Sequence, residues 1–397
     1  MKRSTHALFG LIAGLAIACG GDEEEVQAGL ETQTSWYDQA RTVKESEGPA
    51  RYGRAEGLWV YWYESGQKMK EGEFVDGLEE GVWTHYYPSG AKRLVERYKA
   101  GLLDGPYESW HETGEKLGEG AWSQGAKHGR SREYWPNGQV SFEASHERDV
   151  PVGTYVAFHE NGEKAEELPF ENGERHGLHV QWHPGGEKAT EIRWENDART
   201  GETRGWYPNG QLQLEGQYVE SLADGRWITW HPNGKKETEG DYASGVQVGE
   251  WTGWHENGQL AQRGTYDDQG RKTGEWIKWH PNGVVEQVAN WQEDRLTGVL
   301  RRWYDDGGLE SEVTFVDGAR EGVARSWFQG GAARAQGTWA GDLREGEWFL
   351  WTPEGEVDAK LSGVFEADQR VGALPAESLA REEELEAELT AAAEQGQ

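Results

Sequence analysis

The sequence is poor in several residue types on which most globular proteins depend. It has 1 cysteine and 2 methionines in 397 residues, and hydrophobic residues make up only 35% of the chain. A single cysteine excludes an intrachain disulfide framework, and the low hydrophobic content excludes a thick aliphatic core. The apolar run at residues 7–18 is too short to span a membrane as a helix.

Basic residues are also scarce relative to acidic ones. The chain has 40 Lys and Arg against 71 Asp and Glu, which gives a formal net charge of −31 at pH 7. Nucleic acids and anionic membrane surfaces carry the same sign of charge, so neither is expected as a partner. The sequence also lacks GxSxG, HExxH, a Walker loop and a GxGxxG between a strand and a helix. We therefore expect no enzymatic activity, no catalytic residues and no cofactor.

The N-terminus has the layout of an export signal. Two basic residues precede the apolar run, and small residues stand just before Cys19. The stretch from Leu15 to Cys19 reads Leu-Ala-Ile-Ala-Cys and resembles a bacterial lipobox, in which the cysteine becomes the lipidated first residue of the mature chain. The resemblance implies a signal peptide at 1–18, a lipid anchor at Cys19 and a place in the bacterial cell envelope. The same resemblance implies the outer membrane, because Gly20 follows the cysteine. The alternative is an ordinary signal peptide cut near Ala18.

A strict internal repeat occupies most of the chain. Glycines recur every 24 residues from Gly57 to Gly249, and after one extra residue the series resumes at Gly274 and continues to Gly346. If that glycine is counted as position 1, position 10 is also glycine in all 13 repeats. Representative pairs are Gly57 and Gly66, Gly81 and Gly90, Gly225 and Gly234, and Gly249 and Gly258. The repeat array is predicted to cover residues 57–369.

Position 6 is aromatic in every repeat and is predicted to form a structural column. Its members are Trp62, Tyr86, Trp110, Tyr134, Phe158, Trp182, Trp206, Trp230, Trp254, Trp279, Trp303, Trp327 and Trp351. Position 18 is aromatic in 11 of the 13 repeats. A buried aromatic side chain contributes about 2–3 kcal/mol. We expect each ring to pack on the ring of the next repeat, so that the columns replace a conventional core.

Turn signals separate short aromatic and β-branched runs within each repeat. Asn-Gly at positions 9 and 10 predicts a hairpin turn there, because both residues tolerate positive φ. A Gly or Asp cluster then turns the chain into the next repeat. One hairpin alone is marginal in water, so neighbouring hairpins must pair. The sequence therefore predicts an all-β fold, an elongated single-layer antiparallel meander of 13 tandem 24-residue β-hairpin repeats.

The tandem pattern GxWxxWHxNG…GxYxxGxxxG resembles the MORN repeat family, and within it a bacterial variant of which some members are labelled antitoxin-like. The residues that carry the resemblance in the clearest repeat are Trp227, Trp230, Asn233, Gly234, Gly240 and Tyr242. The resemblance implies a scaffold for protein interaction, with an unidentified protein as its partner. Two alternatives remain: a cell-wall or carbohydrate binder whose aromatic faces stack on sugars, and an antitoxin-like immunity protein.

Charged and histidine columns accompany the rings. Position 12 is often Lys and position 15 often Glu, which fits either a solvated charged face with weak pairs or a patterned docking surface. Position 7 is histidine in six repeats: His111, His159, His183, His231, His255 and His280. Neighbouring repeats lie two strands apart, so these histidines are about 9–10 Å from one another, too far apart to share one zinc ion. Six of the other seven repeats have Tyr, Trp or Phe there, so we expect ring packing and no metal site.

The segments that flank the array differ from it in composition. Residues 19–56 are acidic and polar, and they are predicted to be a flexible tether that follows the lipidated cysteine. Residues 370–397 are rich in Ala, Glu and Leu, and Pro375 with the leucines 379, 385 and 389 predicts one amphipathic acidic helix. We expect this helix to cap the last hairpin, because repeat arrays need a polar end. The alternative is a helix that docks on a partner.

Overall fold

The structure is a computed structural model that describes residues 29–395. The chain divides into two compact units. One runs to Gly138 and includes His146–Asp149, and the other consists of Gln139–Ser145 and the chain from Val150 onward. The described residues form antiparallel strands with a short C-terminal helical segment, which confirms the predicted fold class. Cys19 and the predicted signal peptide lie outside the described residues.

Strands of the first unit follow one another as antiparallel hairpins, and in some hairpins one strand is divided into a short and a longer segment that pair with the same neighbour. They are β1 (Leu30–Trp36), β2 (Lys44–Arg51), β3 (Arg54–Ala55), β4 (Gly57–Trp62), β5 (Lys68–Val75), β6 (Leu78–Tyr86), β7 (Lys92–Lys99), β8 (Leu102–Leu103), β9 (Gly105–Trp110), β10 (Lys116–Ser123), β11 (Ala126–Lys127) and β12 (Gly129–Tyr134).

The same hairpin arrangement continues through the later strands. They are β13 (Val140–Glu147), β14 (Val150–Phe158), β15 (Lys164–Glu171), β16 (Glu174–Arg175), β17 (Gly177–Trp182), β18 (Lys188–Glu195), β19 (Ala198–Trp206), β20 (Leu212–Val219), β21 (Leu222–Trp230), β22 (Lys236–Ala243), β23 (Val246–Trp254), β24 (Leu260–Tyr266), β25 (Lys272–Trp279), β26 (Val285–Gln292), β27 (Arg295–Trp303), β28 (Leu309–Val316), β29 (Ala319–Trp327), β30 (Ala333–Ala340), β31 (Leu343–Leu350), β32 (Gly363–Glu366) and β33 (Gln369–Gly372).

The turn at the Asn-Gly pair differs from the one that the sequence predicts. In the clearest repeat Gly234 has a positive φ of 80°, whereas Asn233 does not. The amide of Gly234 donates to the carbonyl of His231 at 2.8 Å, and the amide of His231 donates to the carbonyl of Lys235 at 2.8 Å. This is a three-residue loop that ends in a left-handed glycine. Asn233 is needed for its side chain, because Oδ1 accepts from the Lys235 amide at 3.0 Å and Nδ2 donates to the Glu256 carbonyl at 2.7 Å.

Two-residue turns with positive φ at both residues occur at the other end of most hairpins, except at the extra residue, where Asp267 to Arg271 form a three-residue loop that ends in the left-handed Gly270. Val75 and Leu78 are paired across such a turn, and Asp76 and Gly77 have φ of 51° and 82°. The same geometry recurs at later turns, where the first turn residue is Asn172, Asn196, Glu293 or Asp317, among others. The Gly and Asp cluster between repeats is therefore the tight turn, and its twist matches that of the strands.

The glycine at repeat position 1 lies in a bulge. Between the cross-strand pairs Glu71–Thr84 and Glu73–Glu80, three residues of β6 stand opposite one residue of β5. Gly81 is the first of the three and has φ of 72°. A left-handed backbone in a bulge favours glycine, which explains why this glycine recurs in every repeat.

The array begins before the boundary that the sequence predicts. β1 and β2 lie in a segment predicted to be a flexible tether, and Trp36 pairs with Lys44 as Trp62 pairs with Lys68. The Tyr37 hydroxyl donates to the carbonyl of Trp62 at 2.8 Å. The tether prediction therefore needs correction over residues 30–55. This hairpin has no position-1 glycine, no Asn-Gly pair and a longer loop, so its sequence does not match the repeat pattern.

The C-terminal segment folds as two helices, α1 (Ala376–Leu379) and α2 (Glu382–Gln395). Leu385 and Leu389 of α2 are buried against the last repeats, and the Trp327 Nε1 donates to the carbonyl of Leu389 at 3.0 Å. The sequence predicts one helix here, and the structure divides it into two, with Leu379 in α1 and the buried leucines in α2. Helix α2 covers a face of the sheet over several repeats, a wider contact than the expected cap on the last hairpin.

Candidate interaction surface

Side chains alternate along each strand, so the hairpins have two different faces. The ring face is formed by repeat positions 4, 6, 12 and 15, which in one repeat are Val60, Trp62, Lys68 and Glu71. The indole face is formed by positions 3, 5, 16 and 18, which are Trp59, Tyr61, Gly72 and Phe74. Cross-strand register supports this division, because Trp62 lies opposite Lys68, Val60 opposite Glu71, and Trp59 opposite Gly72.

Aromatic contacts between neighbouring repeats lie on the indole face. Trp83 is fully buried, at 0% exposure, and its ring meets that of Phe74 in the preceding repeat edge-on, with 5.1 Å between centroids. Tyr242 and Trp251 meet in the same way at 5.2 Å. Edge-to-face pairs of this kind contribute about 0.5–1.5 kcal/mol beyond burial. The ring-on-ring packing expected at position 6 is therefore found at positions 3 and 18.

A glycine makes room for each indole at position 3. A Cβ on the position-16 glycine of one repeat would lie less than 3.0 Å from the indole of the next repeat. The pairs are Gly48–Trp59, Gly72–Trp83, Gly216–Trp227, Gly240–Trp251, Gly264–Trp276 and Gly337–Trp348. Where position 3 is not Trp, the preceding position 16 is a larger residue, as with Ala289 before Leu300, except at Gly120 before Ser131. Sequence reasoning missed this pairing, although the spacing of 11 residues, or 12 across the extra residue, carries it.

The predicted position-6 rings lie on the ring face at the ends of strands. Twelve of the thirteen are the last residue of their strand, from Trp62 in β4 to Trp327 in β29. Trp351 instead forms an isolated bridge with Val357. Trp327 and Trp351 are buried, and the others are half-buried. Trp36 is a further member of this row that the sequence did not predict.

Position-12 lysines separate successive rings on the ring face. Lys68 is paired with Trp62 across the strands, and its Nζ lies 5.6 Å from the centroid of the Tyr86 ring in the next repeat. The same relation to the following ring holds for Lys44 and Trp62, Lys116 and Tyr134, Lys164 and Trp182, Lys188 and Trp206, and Lys236 and Trp254. Cation–π contacts at exposed sites contribute about 0.5–1 kcal/mol each.

Two position-15 glutamates, Glu71 and Glu119, bind both the lysine of their own repeat and a tyrosine of the next repeat. Lys116 Nζ donates to Glu119 Oε2 at 2.6 Å, and the Tyr134 hydroxyl donates to Glu119 Oε1 at 2.8 Å. Hydrogen bonds from Lys116 and Tyr134 hold the pKa of Glu119 below its ordinary value. In the equivalent pair, burial and the hydrogen bond to Glu71 raise the pKa of Tyr86 to about 12. In these repeats the Lys and Glu columns therefore make defined contacts between repeats.

Five of the six position-7 histidines, all but His111, make a hydrogen bond from the ring to a carbonyl of the next repeat, and the column does not gather into a metal site. His231 Nε2 lies 2.8 Å from the carbonyl of Trp254 in the next repeat. Because a carbonyl only accepts, Nε2 carries the proton in this contact. The hydroxyl of Tyr207 donates to the equivalent carbonyl of Trp230 at 2.8 Å. His and Tyr thus exchange at position 7 because both place a donor at the same point. Within the described ranges, no group of three or more His, Cys, Asp or Glu side chains could hold a metal ion.

Two histidine–glutamate pairs lie on the indole face, and each has one buried member, His179 or Glu96. His179 stands at position 3, where other repeats have Trp, and is 8% exposed. Its Nε2 lies 2.7 Å from Glu166 Oε1. His85 Nε2 lies 3.1 Å from Glu96 Oε1. Burial raises the pKa of Glu96, but the hydrogen bonds from His85 and Tyr98 outweigh it, so the pKa lies below its ordinary value. Sequence reasoning did not single out either pair.

The ring face carries a helix where the position-12 lysine is replaced. Leu309 and Ala333 stand at position 12 in two of the last repeats, and both are buried. They form one cluster with Trp327, Phe349, Trp351, Leu385 and Leu389. An aliphatic residue at position 12 has no charge to keep in water, so α2 can lie directly over the rings.

No helix of residues 29–395 has the length and apolar character needed to cross a membrane.

Part of the repeat array matches a known protein family. Eight segments of the chain match the family described as the MORN repeat variant. The matched residues are 55–76, 127–147, 151–172, 199–220, 223–243, 247–268, 272–293 and 296–317. These eight segments follow the hairpin repeat described above, which agrees with the resemblance seen in the sequence. The remaining repeats lie outside the matched segments.

Other comparisons add little. A comparison with curated proteins gives no match. Among solved structures, the chain is similar to the crystal structure of TcdB2-TccC3-Cdc42, with 10% identity, a TM-score of 0.15, and coverage of 81% of this chain and 20% of that one. The Photorhabdus luminescens Tc holotoxin pore with the TccC3-D651A mutation gives 10% identity, a TM-score of 0.15, and coverage of 86% and 24%. The chain therefore spans about a fifth to a quarter of these chains, and a TM-score of 0.15 supports no conclusion about it.

Proposed function

We propose that the chain is a non-enzymatic lipoprotein of the bacterial cell envelope, and that its MORN-type repeats form a protein-interaction scaffold. The contact of α2 with the ring face carries the interaction part, because it is an example of a polypeptide helix held by this surface. The recurring Lys, Glu, His and Tyr side chains support the non-enzymatic part. They bind neighbouring repeats, as Tyr134 binds Glu119, and do not converge on one point.

Affinity capture from a cell-envelope extract tests the interaction role. The full-length chain carries a C-terminal tag, and both the bound proteins and the bound glycans are identified. A stoichiometric protein that binds the wild-type chain, and does not bind a tagged globular control of similar negative charge, is the expected result. Recovery of peptidoglycan or polysaccharide without any protein would contradict the scaffold role.

The lipid anchor is a separate part of the proposal, supported by the residues that precede Cys19. Cells that express the chain are fed a palmitate analogue that can be labelled. The wild-type chain is expected to take up the label and to fractionate with the outer membrane, and Cys19→Ala is expected to lose the label. Equal labelling of both chains, or no labelling of the wild type, would contradict lipidation at Cys19.

A carbohydrate-binding role is the second candidate, because the position-6 rings in most repeats are half-buried and keep some exposed surface. Aromatic faces of this kind can stack on sugars. Iodide quenching of tryptophan fluorescence separates the two roles. The scaffold proposal expects weak quenching that peptidoglycan fragments leave unchanged, since lysines lie against several of the rings. Strong quenching that glycan fragments suppress would favour the carbohydrate role.

A further inference from the structure

The ring face under α2 continues beyond the helix. Cross-strand pairs on this face follow one another as Trp351–Val357, Trp327–Ala333, Trp303–Leu309, Trp279–Val285 and Trp254–Leu260. The first three contribute to the cluster that packs α2. The next two pairs have the same chemistry, an indole beside an aliphatic residue. They are not part of the cluster in which Leu385 and Leu389 of α2 are buried.

The next cross-strand row on the same face extends this strip. Ile277 lies opposite Val288. Ile277 precedes Trp279 by two residues, and Val288 follows Val285 by three. Near the C-terminus the residue of this row is Phe349, which stacks on Trp351 at 5.7 Å between centroids and is buried with α2. Six half-buried residues form the uncovered part of this surface, which we call the helix strip: Trp254, Leu260, Ile277, Trp279, Val285 and Val288.

The strip has a clear end on its other side. In the preceding repeat Trp230 is paired with Lys236, and the Lys236 Nζ lies 5.7 Å from the ring centroid of Trp254. A lysine at position 12 therefore returns where the strip stops. Position 12 is therefore aliphatic in five consecutive repeats, from Leu260 to Val357. Only the last three of these residues belong to the cluster that packs α2.

We propose that the helix strip binds an amphipathic α-helix of a partner protein, with leucine and alanine on its inner face and carboxylates on its outer face. This inference rests on the proposed role in protein interaction and names the surface and the kind of partner. The strip is continuous with the surface that binds α2, whose inner residues are Leu385, Leu389 and Ala392. The α2 of a second copy is not free for this purpose, because Leu389 is buried on its own chain and its carbonyl accepts from Trp327.

Dimensions and charge fit this occupant. Ring pairs of successive repeats are two strands apart, so the two rings of the strip, Trp254 and Trp279, are separated by about 10 Å. About seven residues of helix, or two turns, rise this distance, so half the length of a 14-residue helix such as α2 covers both ring pairs of the strip. Arg263 lies opposite Ile277 and is exposed beside the strip. Its guanidinium is placed to meet the carboxylates of an acidic helix such as α2, whose sequence is EEELEAELTAAAEQ.

A labelled peptide with the sequence of residues 374–397 serves as the probe. Its binding to the full-length chain is measured by fluorescence anisotropy, for the wild type and for Leu260→Lys/Val285→Lys. Lysine stands at the same repeat position in Lys236 and Lys188, so this variant is expected to keep its fold. The matched control is Leu212→Lys, which changes the same kind of pair, Trp206–Leu212, outside the strip.

The wild type is expected to bind one peptide, the strip variant to bind at least ten times more weakly, and the control to bind within two-fold of the wild type. Equal binding by all three chains would mean that the peptide displaces α2 from its own site, and would overturn the proposal. Absence of binding would also overturn it, as would binding to phosphatidylcholine vesicles that the same double substitution abolishes.

Hydrogen exchange on the wild-type chain keeps the test independent of the variant. The peptide is expected to slow exchange in residues 272–292, and unchanged exchange there would overturn the proposal. Failure of this inference can be told apart from failure of the scaffold role. An envelope protein captured equally by the wild type and the strip variant would refute the helix strip alone, whereas a wild type that captures no protein would refute the role on which it rests.

Discussion

At the scale of single residues, the recurrent positions are explained by contacts with the next repeat. The position-16 glycine and the following position-3 tryptophan form one steric unit, since a Cβ on Gly240 would overlap the indole of Trp251. Elsewhere the chain changes both members together, as in Ala289 before Leu300. Conformational freedom is not the reason for this glycine, because Gly240 does not have a positive φ.

This steric pairing predicts that Gly240→Ala and Trp251→Leu are coupled. Gly240→Ala forces the indole to move and should cost about 1–3 kcal/mol, as overpacking does. Trp251→Leu leaves a gap and should also destabilise the chain. The double variant restores the combination found at Ala289 and Leu300, so it should be more stable than the sum of the single effects predicts.

Thermal and urea unfolding of the four chains measure this coupling as a double-mutant cycle. The expected interaction free energy favours the double variant by about 1 kcal/mol or more. Strictly additive effects would contradict the pairing of glycine and indole.

The bonds that Glu119 accepts from Lys116 and Tyr134 predict a dependence on pH. The pKa of Glu119 is lowered in the folded chain, so its stabilising effect is present above the unfolded pKa, about 4.3. The effect is lost as the pH falls through the lower, folded pKa. Glu119→Gln should therefore lower the melting temperature at pH 7, and its difference from the wild type should shrink as the pH falls below about 4.

Melting temperatures of both chains between pH 7 and pH 3 check this expectation. Glu73→Gln, at an exposed residue two repeats earlier in the chain, is the control and should differ little from the wild type at any pH. A Glu119→Gln difference that stays constant or widens on acidification would contradict the assigned bonds.

At the scale of the element, the hairpins could be predicted from the sequence but the roles of their turns could not. Asn-Gly is the strongest short signal for a turn with positive φ, yet Asn233 is retained for its side-chain bonds to Lys235 and Glu256. The turns in which both residues are left-handed have varied sequences, such as Asp76-Gly77 and Glu293-Asp294. Their sequences recur less regularly than the Asn-Gly pair. Turn prediction uses only the few residues around the turn, so it cannot predict a hydrogen bond to the next repeat such as that from Asn233 to Glu256.

The left-handed residues of these turns predict a stabilising substitution. Ala100 has φ of 50°, a region that costs an ordinary side chain roughly 1–2 kcal/mol and that Asn tolerates better. Ala100→Asn should therefore raise the melting temperature. The control is Ala121→Asn, inside β10, which should not. Equal effects of both substitutions would contradict the turn assignment.

Helix α2 predicts a second effect at this scale. Leu389 is fully buried against Trp327 and Trp351, whereas Leu379 in α1 is 42% exposed. Leu389→Glu should detach α2, expose the two indoles and increase iodide quenching of tryptophan fluorescence. Leu379→Glu is the matched control and should leave quenching unchanged. Equal quenching of the two variants would contradict the packing of α2 on the ring face.

At the scale of the whole molecule, the repeat period fixed the fold class, because a 24-residue period with two turn signals admits little besides stacked hairpins. The face on which rings meet could not be predicted, since positions 3, 6 and 18 are all aromatic in many repeats. Which column packs depends on whether a glycine lies opposite, which is a cross-strand property. The first hairpin was missed for a similar reason, because its strand pairing persists without the glycines that mark the repeat.

The central claim is that contacts between neighbouring repeats hold the array together, so that its stability is a sum of local terms. Hydrogen exchange of the wild type and Gly240→Ala under the same conditions tests it most directly. The claim predicts faster exchange in residues 225–266, around the overlap with Trp251, and unchanged exchange in residues 57–99. Faster exchange across both ranges, or no change in either, would contradict it.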